Sequence, residues 1–288
     1  MVFPAPALAV VAMLSVQLGA ALSTGLFEAV SPAGTAWLRL TFAGIVLVAF
    51  ARPRLTGMTT EGRRAVLLLG AASAVITLAF IEAVARVPLG VAVAVEFLGP
   101  LAVAAVRSPV RSALTWPALA LLGVLGLTEP WEGSVDFAGV LFAALAAAGW
   151  AAYIVLTRRV GAELPGFQGL ALSIPIAALL ATPFGAPPAL PALTPMIALQ
   201  CLGLAVLLPL LPYALEMQAL RRMTMSSFGT LMVVEPGIAV LIGLLVLAQV
   251  PAPWQVVGMA LVVTAGIGAE QHVRRQAASR RDRGFAGQ

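Results

Sequence analysis

The sequence has no lysine, one histidine and one cysteine among its 288 residues. His272 lies beyond the last apolar run, which leaves histidine catalysis and histidine-bound zinc without a basis. Cys201 stands alone inside an apolar run, so neither an internal disulfide nor a cysteine-cluster metal site can form. No metal and no cofactor is expected. Charge is scarce too: charged residues make up 10% of the chain, against about 25% in soluble domains. Basic residues are all arginines placed between apolar segments, so the pI of 10.9 reflects topogenic charge rather than a nucleic-acid surface. The first apolar run has no basic segment ahead of it and no clear cleavage site, and reads as a retained span, not a signal peptide.

What is abundant is apolar. Hydrophobic residues make up 61% of the chain and the mean hydropathy is +1.01, the profile of an integral membrane protein. Ten apolar runs, each about one bilayer crossing long, lie near 6–24, 34–51, 65–84, 88–106, 112–128, 137–156, 167–184, 194–215, 227–247 and 254–270. The arginines support that count. With the N-terminus inside, 15 of 17 arginines fall on the inner side: Arg52, Arg54, Arg63, Arg64, Arg107, Arg111, Arg158, Arg159, Arg221, Arg222, and five in the tail. Arg86 alone falls in an outer loop and Arg39 within a span, while Glu28, Glu129, Glu132 and Asp136 lie outside. Inner retention of arginine orients short loops, so both termini are expected in the cytoplasm.

The chain also repeats. A shift of 136 positions sets Ala83-Val-Ala-Arg-Val against Ala219-Leu-Arg-Arg-Met, and Gly99-Pro100 against Glu235-Pro236. An odd number of spans per half makes the halves inverted, a plan that secondary transporters use around a midplane site. The expected fold is therefore all-α, with ten transmembrane helices as two inverted five-helix repeats around a central cavity. Residues 1–130 would form the first half, 131–270 the second and 271–288 a basic cytoplasmic tail.

The stretch Val87–Ala104 is an apolar run with Glu96 near its middle and Pro100 four residues on. Proline lacks the N–H that would bond the Glu96 carbonyl, which places a carboxylate and a free carbonyl together at membrane depth. Glu235 beside Pro236 is a weaker echo, and both prolines are expected to kink their helices. An ionisable group at mid-span costs about 2.5–3.5 kcal/mol on insertion scales, so such groups need a reason.

Glu96 and Glu235 read as carboxylates for a substrate ammonium or a proton, the alternative being acids that hold helices together by hydrogen bonds. Arg39 could bind a substrate carboxylate, pair with a buried glutamate, or snorkel. Glu82 has Arg86 at i+4, which favours an interfacial ion pair over a site role. Glu216, near the inner end of its span with Tyr213 one turn earlier, either lines a cavity or is solvated at the interface. Ser15 and Gln17 in the first span correspond in position to Trp150 and Tyr153 in the sixth; they offer substrate contacts or, equally, interhelical bonding and packing. Gly139, Ala143, Ala147 and Ala151 form a small-residue stripe that signals close helix packing.

These residues resemble a known group. Ala36-Trp-Leu-Arg-Leu-Thr-Phe, the run from Arg86 to Ala104, Leu211-Pro-Tyr-Ala-Leu-Glu-Met-Gln-Ala-Leu and Phe228-Gly-Thr-Leu-Met-Val-Val-Glu-Pro are similar to segments of the drug/metabolite transporter superfamily, EamA family. Within it the threonine/homoserine exporter type matches best, over nearly the whole chain. The resemblance implies export of small amino acids or related metabolites across the cytoplasmic membrane, by alternating access. One departure is Leu247-Ala-Gln249, where many members read Leu-Gly-Glu; Gln249 is expected away from the substrate site. The expected partners are a small-molecule substrate, membrane lipid and protons, with no nucleic acid. Oligomeric state is not legible. The rivals are a transporter of an unrelated compound, a helix-bundle scaffold, and an intramembrane enzyme restricted to an acid-only site.

Overall fold

The computed structural model describes residues 4–53, 58–106, 115–129, 136–164, 167–223, 228 and 231–285, with backbone alone at 220, 270 and 273–285. The regular structure described is helical throughout: α1 (Ala5–Ser23), α2 (Phe27–Ala51), α3 (Thr60–Val84), α4 (Leu89–Glu96), α5 (Leu98–Val106), α6 (Thr115–Thr128), α7 (Phe137–Glu163), α8 (Gln168–Ala189), α9 (Pro195–Ala205), α10 (Leu211–Leu220), α11 (Glu235–Leu247) and α12 (Pro253–Phe285). Among the described residues six stretches are long and apolar enough to cross a bilayer: Ala5–Ala51, Thr60–Val84, Leu89–Val106, Phe137–Glu163, Gln168–Ala189 and Pro195–Ala219. Three shorter apolar helices, Thr115–Thr128, Glu235–Leu247 and Pro253–Ala269, accompany them. This is a multi-pass membrane protein.

Among the described residues three breaks interrupt the helices, each within three residues of a proline. The loop expected near residues 25–33 is instead helical, a 3₁₀ turn at Thr24–Leu26 leading straight into α2. The axis breaks at Ser31, whose φ of 62° and ψ of 164° are non-helical. Ser31 Oγ then accepts from the Gly34 N–H at 3.1 Å, with Pro32 at the first helical position, which is how a new helix starts. The second break falls at Phe97, between α4 and α5. The third is a π-helical stretch at Val206–Leu210, where Leu208 is extended (φ −156°, ψ 111°) ahead of Pro209. There Ser15 of α1 donates to the Leu207 carbonyl at 2.8 Å, so an adjacent helix supplies a partner where the ladder is disturbed.

Several helices outrun the apolar spans. α3 starts at Thr60 because Thr59 caps it, accepting from the Gly62 N–H at 2.9 Å. α7 continues through Arg158 and Arg159 to Glu163, and α12 runs to Phe285 through most of the basic tail. These extensions are rich in arginine and alanine, good helix formers that need no bilayer around them.

Packing pairs α2 with α8, α6 with α12, α4 with α11, α3 with α7 and α1 with α10. Trp37 Nε1 of α2 donates to Thr182 Oγ1 of α8 at 3.0 Å. The small-residue stripe on α7 faces α4 and α5: Gly139 lies on Val87, Ala143 is buried, and the Ala147 backbone lies against Gly99. Only glycine fits at 99, because a Cβ there would collide with the Ala147 carbonyl oxygen. Ala151, the last of the stripe, borders a shallow groove instead. At one end of the same pair, Arg86 bonds Glu82 one turn back, as their spacing suggests, and lies 4.9 Å from the Phe142 ring centroid of α7. At the other end, the Thr59 hydroxyl donates to Glu163 Oε1 at 2.7 Å.

Candidate functional site

The breaks at Phe97 and at Leu208 border one cavity of about 440 Å³, within the range of small-ligand sites, while Ser31 does not line it. Each break exposes what a continuous helix would hide. α4 stops at Glu96, so the carboxylate sits at a helix end, with Phe97 and Pro100 of the following turn also on the cavity wall. α11 begins at Glu235, with Pro236 directly behind it. Pro236 stands in the first turn of α11, where its missing N–H has no intrahelical partner to lose, whereas Phe97 keeps helical dihedrals (φ −63°, ψ −17°) across the α4–α5 junction that Pro100 interrupts. Leu208 and Pro209 of the π-helical stretch complete this part of the wall.

All seven residues singled out as substrate contacts line the cavity: Gln17 from α1, Arg39 from α2, Glu96 from α4, Trp150 and Tyr153 from α7, Glu216 from α10 and Glu235 from α11. Ser15 does not, being committed to the Leu207 carbonyl. Glu82 does not either, nor does Pro236. Gln17, Arg39, Glu235 and Glu96 are 1%, 3%, 5% and 8% exposed, so their polar heads are held out of bulk water.

Their partnerships differ. Gln17 Nε2 donates to Glu235 Oε1 at 3.2 Å, joining α1 to α11. The other oxygens of that pair, Gln17 Oε1 and Glu235 Oε2, are sealed without a hydrogen-bond partner. Arg39 Nη1 donates to Ser23 Oγ at 3.4 Å, and Ser23 Oγ donates to the Gly19 carbonyl at 2.7 Å. Among the described residues no carboxylate forms a salt bridge with Arg39, although Glu96 lies within electrostatic reach. Glu96 accepts no hydrogen bond among the described residues, and its oxygens are not among the sealed, unpartnered ones. Tyr153 Oη is buried without a hydrogen bond, near Thr157 and Glu216. Arg39 and Glu96 therefore line one apolar cavity without a direct ion pair between them.

The cavity also contains residues that the sequence reading passed over. Ser73 and Thr77 of α3 stand one turn apart on its wall, and Phe228 closes another side beside Tyr213, the neighbour of Glu216 already noted in the sequence. Two hydroxyls at i and i+4 in an apolar helix are the signal that could have found the first pair. Gln249 lies elsewhere, as expected: its Oε1 accepts from the Leu89 N–H at 3.0 Å and caps the start of α4.

Comparison with known proteins agrees with this geometry. The EamA-like transporter family matches residues 137–268. The threonine/homoserine exporter RhtA of Escherichia coli (strain K12) is 37% identical over 269 residues, covering 92% of this chain and 91% of the relative. RhtA of Salmonella typhimurium (strain LT2) is similar to the same extent, 37% over 269 residues with the same coverage. A relative that close, matched along nearly its whole length, fixes the family: the chain belongs to the EamA-like transporters.

Proposed function

We propose that the protein exports threonine, homoserine or similar small amino acids across the cytoplasmic membrane by alternating access. The observation that carries this reading is Arg39 and Glu96 on the wall of one largely apolar cavity with no ion pair between them among the described residues. A zwitterionic amino acid needs an anionic contact for its ammonium and a donor array for its carboxylate. Glu96 supplies the first and the planar Arg39 guanidinium the second. Apolar walls and the 440 Å³ volume suit a small solute. Ser73 and Thr77 lie ready for a side-chain hydroxyl of the substrate.

The proposed architecture is ten crossings in two inverted halves, with both termini cytoplasmic. Two features support the count. The Ala5–Ala51 run divides at Ser31 into two spans, and the three shorter apolar helices add three more to the remaining five. The family match at 137–268 falls inside the second proposed half. Corresponding packing supports two matching halves: α3 on α7 has its counterpart in α10 on α1, α4 and α5 on α7 in α11 on α1, and α3 on α8 in α9 on α2. These contacts cross between the halves, so the units that rock about the cavity draw helices from both.

Coupling to protons is part of the proposal, because Glu96, Glu216 and Glu235 share a chamber with one arginine. Radiolabelled threonine and homoserine flux in proteoliposomes, with and without an imposed pH gradient, tests both claims. Flux of neither amino acid would remove the substrate reading. A rate that ignores the gradient would remove the coupling.

A further inference from the structure

Glu235 and Gln17 carry a pattern that the transport reading does not use. One hydrogen bond joins them, from Gln17 Nε2 to Glu235 Oε1 at 3.2 Å. The two oxygens left over, Gln17 Oε1 and Glu235 Oε2, are both acceptors if the glutamate is ionised, and both are sealed with no donor among the described residues. A buried acceptor without a donor costs about 1–3 kcal/mol, and here there are two side by side. A single proton on Glu235 Oε2 removes both deficits at once. The acid O–H then donates to Gln17 Oε1 while the amide N–H donates to Glu235 Oε1, the closed ring of a carboxylic acid–amide pair.

We propose that Glu235 is the proton-binding carboxyl of this transporter and that Gln17 is its positioning partner, the two forming an acid–amide pair across α1 and α11. This deepens the coupled-transport reading and rests on it for its purpose. It also gives separate roles to the two glutamates, each of which the sequence leaves open to an ammonium or a proton. The sealed oxygens of the pair leave no room for an ammonium, and a proton is the one donor small enough to reach them. Glu96 faces the cavity unsealed and near Arg39, which leaves it as the carboxylate for the ammonium.

The charges around Glu235 fit this division. α4 presents Glu96 and α10 presents Glu216, both within electrostatic reach of the pair or of each other's partner. α2 presents Arg39 toward Glu96. α1 contributes no charged residue, and residues 253–269 of α12 contain none. Three carboxyls facing one guanidinium leave an excess of negative charge in a low-dielectric chamber, which binding of a proton at Glu235 reduces. Release of that proton turns the acid into a carboxylate and breaks half of the ring, leaving the bond from Gln17 Nε2 to Glu235 Oε1 between α1 and α11.

Infrared difference spectroscopy of the full-length protein in lipid, titrated without substrate, reads the pair directly. A protonated-carboxyl C=O band is expected at neutral pH, lost in Glu235→Gln and kept in Glu96→Gln. Gln17→Leu should shift the band upward, because its C=O loses the amide donor; Gln17→Ala is the second choice if the leucine variant does not fold. A band that survives Glu235→Gln, or that Gln17 substitutions leave in place, overturns the pair, as does absence of any protonated carboxyl at neutral pH. Because no substrate is present, a negative spectrum leaves the export reading standing, and absent threonine flux leaves the pair standing.

Discussion

Removing the Glu96 charge while keeping its shape tests the ammonium contact. A charge-assisted hydrogen bond contributes about 1.5–3 kcal/mol, so Glu96→Gln should cut threonine flux in proteoliposomes by roughly ten- to a hundredfold at unchanged protein yield. Full transport by that variant would remove Glu96 from the site. Arg39→Lys should raise the apparent KM for threonine about tenfold, since an ammonium cannot reproduce the planar two-pronged grip of a guanidinium; a KM within twofold of the parent would place the carboxylate elsewhere. Both residues were legible in the sequence, because a charge inside an apolar run stands out against its surroundings. Their partnerships were not. Gln17 and Glu235 are 218 positions apart, and no spacing rule reaches that far. Ser73 and Thr77 were overlooked because a hydroxyl in a membrane helix can satisfy itself on its own backbone, as Ser73 does on Leu69 at 2.9 Å.

Helix contacts here depend on the absence of side-chain atoms at a few crossings. Gly99→Ala should lower thermal stability in detergent by about 1–3 kcal/mol, because the added methyl meets backbone that cannot turn aside. Gly203→Ala is the matched control, since nothing lies within 4 Å of the Cβ it adds and alanine favours the helix by about 0.5–1 kcal/mol. Equal melting temperatures for the two variants would mean that α5 and α7 do not approach as closely as Gly99 and Ala147 require. The small residues on α7 advertised that crossing in sequence, and Pro100 advertised the α4–α5 junction. What the pattern did not reveal is how the breaks are built. Ser31 joins two spans by a single non-helical residue where a loop was expected, because a serine cap and Pro32 restart the helix within one turn.

The arrangement of spans across the bilayer is the largest-scale expectation, and sequence charge argues it more sharply than helix length does. Six helical stretches are long enough to cross; taking those alone as spans would put Arg52, Arg54, Arg63, Arg64, Arg107 and Arg111 outside and carry Arg86 in. Ten crossings place all six inside with Arg158, Arg159 and the tail, as inner retention of arginine demands. Length counts fewer spans than the proposed ten because apolar helices such as α6 and α11 are only 14 and 13 residues long. Cys201 is the only native cysteine, so a Cys201→Ser parent allows single cysteines to be placed at will. Cysteines introduced at Arg63 and Arg159, both exposed, should be labelled by a membrane-impermeant maleimide only from the cytoplasmic face, and one at Glu28 only from the opposite face. The Arg63 and Arg159 positions decide the matter, since ten crossings put them on one side and six put them on opposite sides. Labelling of those two from different faces would dismiss the inverted pair of halves, and with it the symmetry that brings Glu96 and Glu235 to a common chamber.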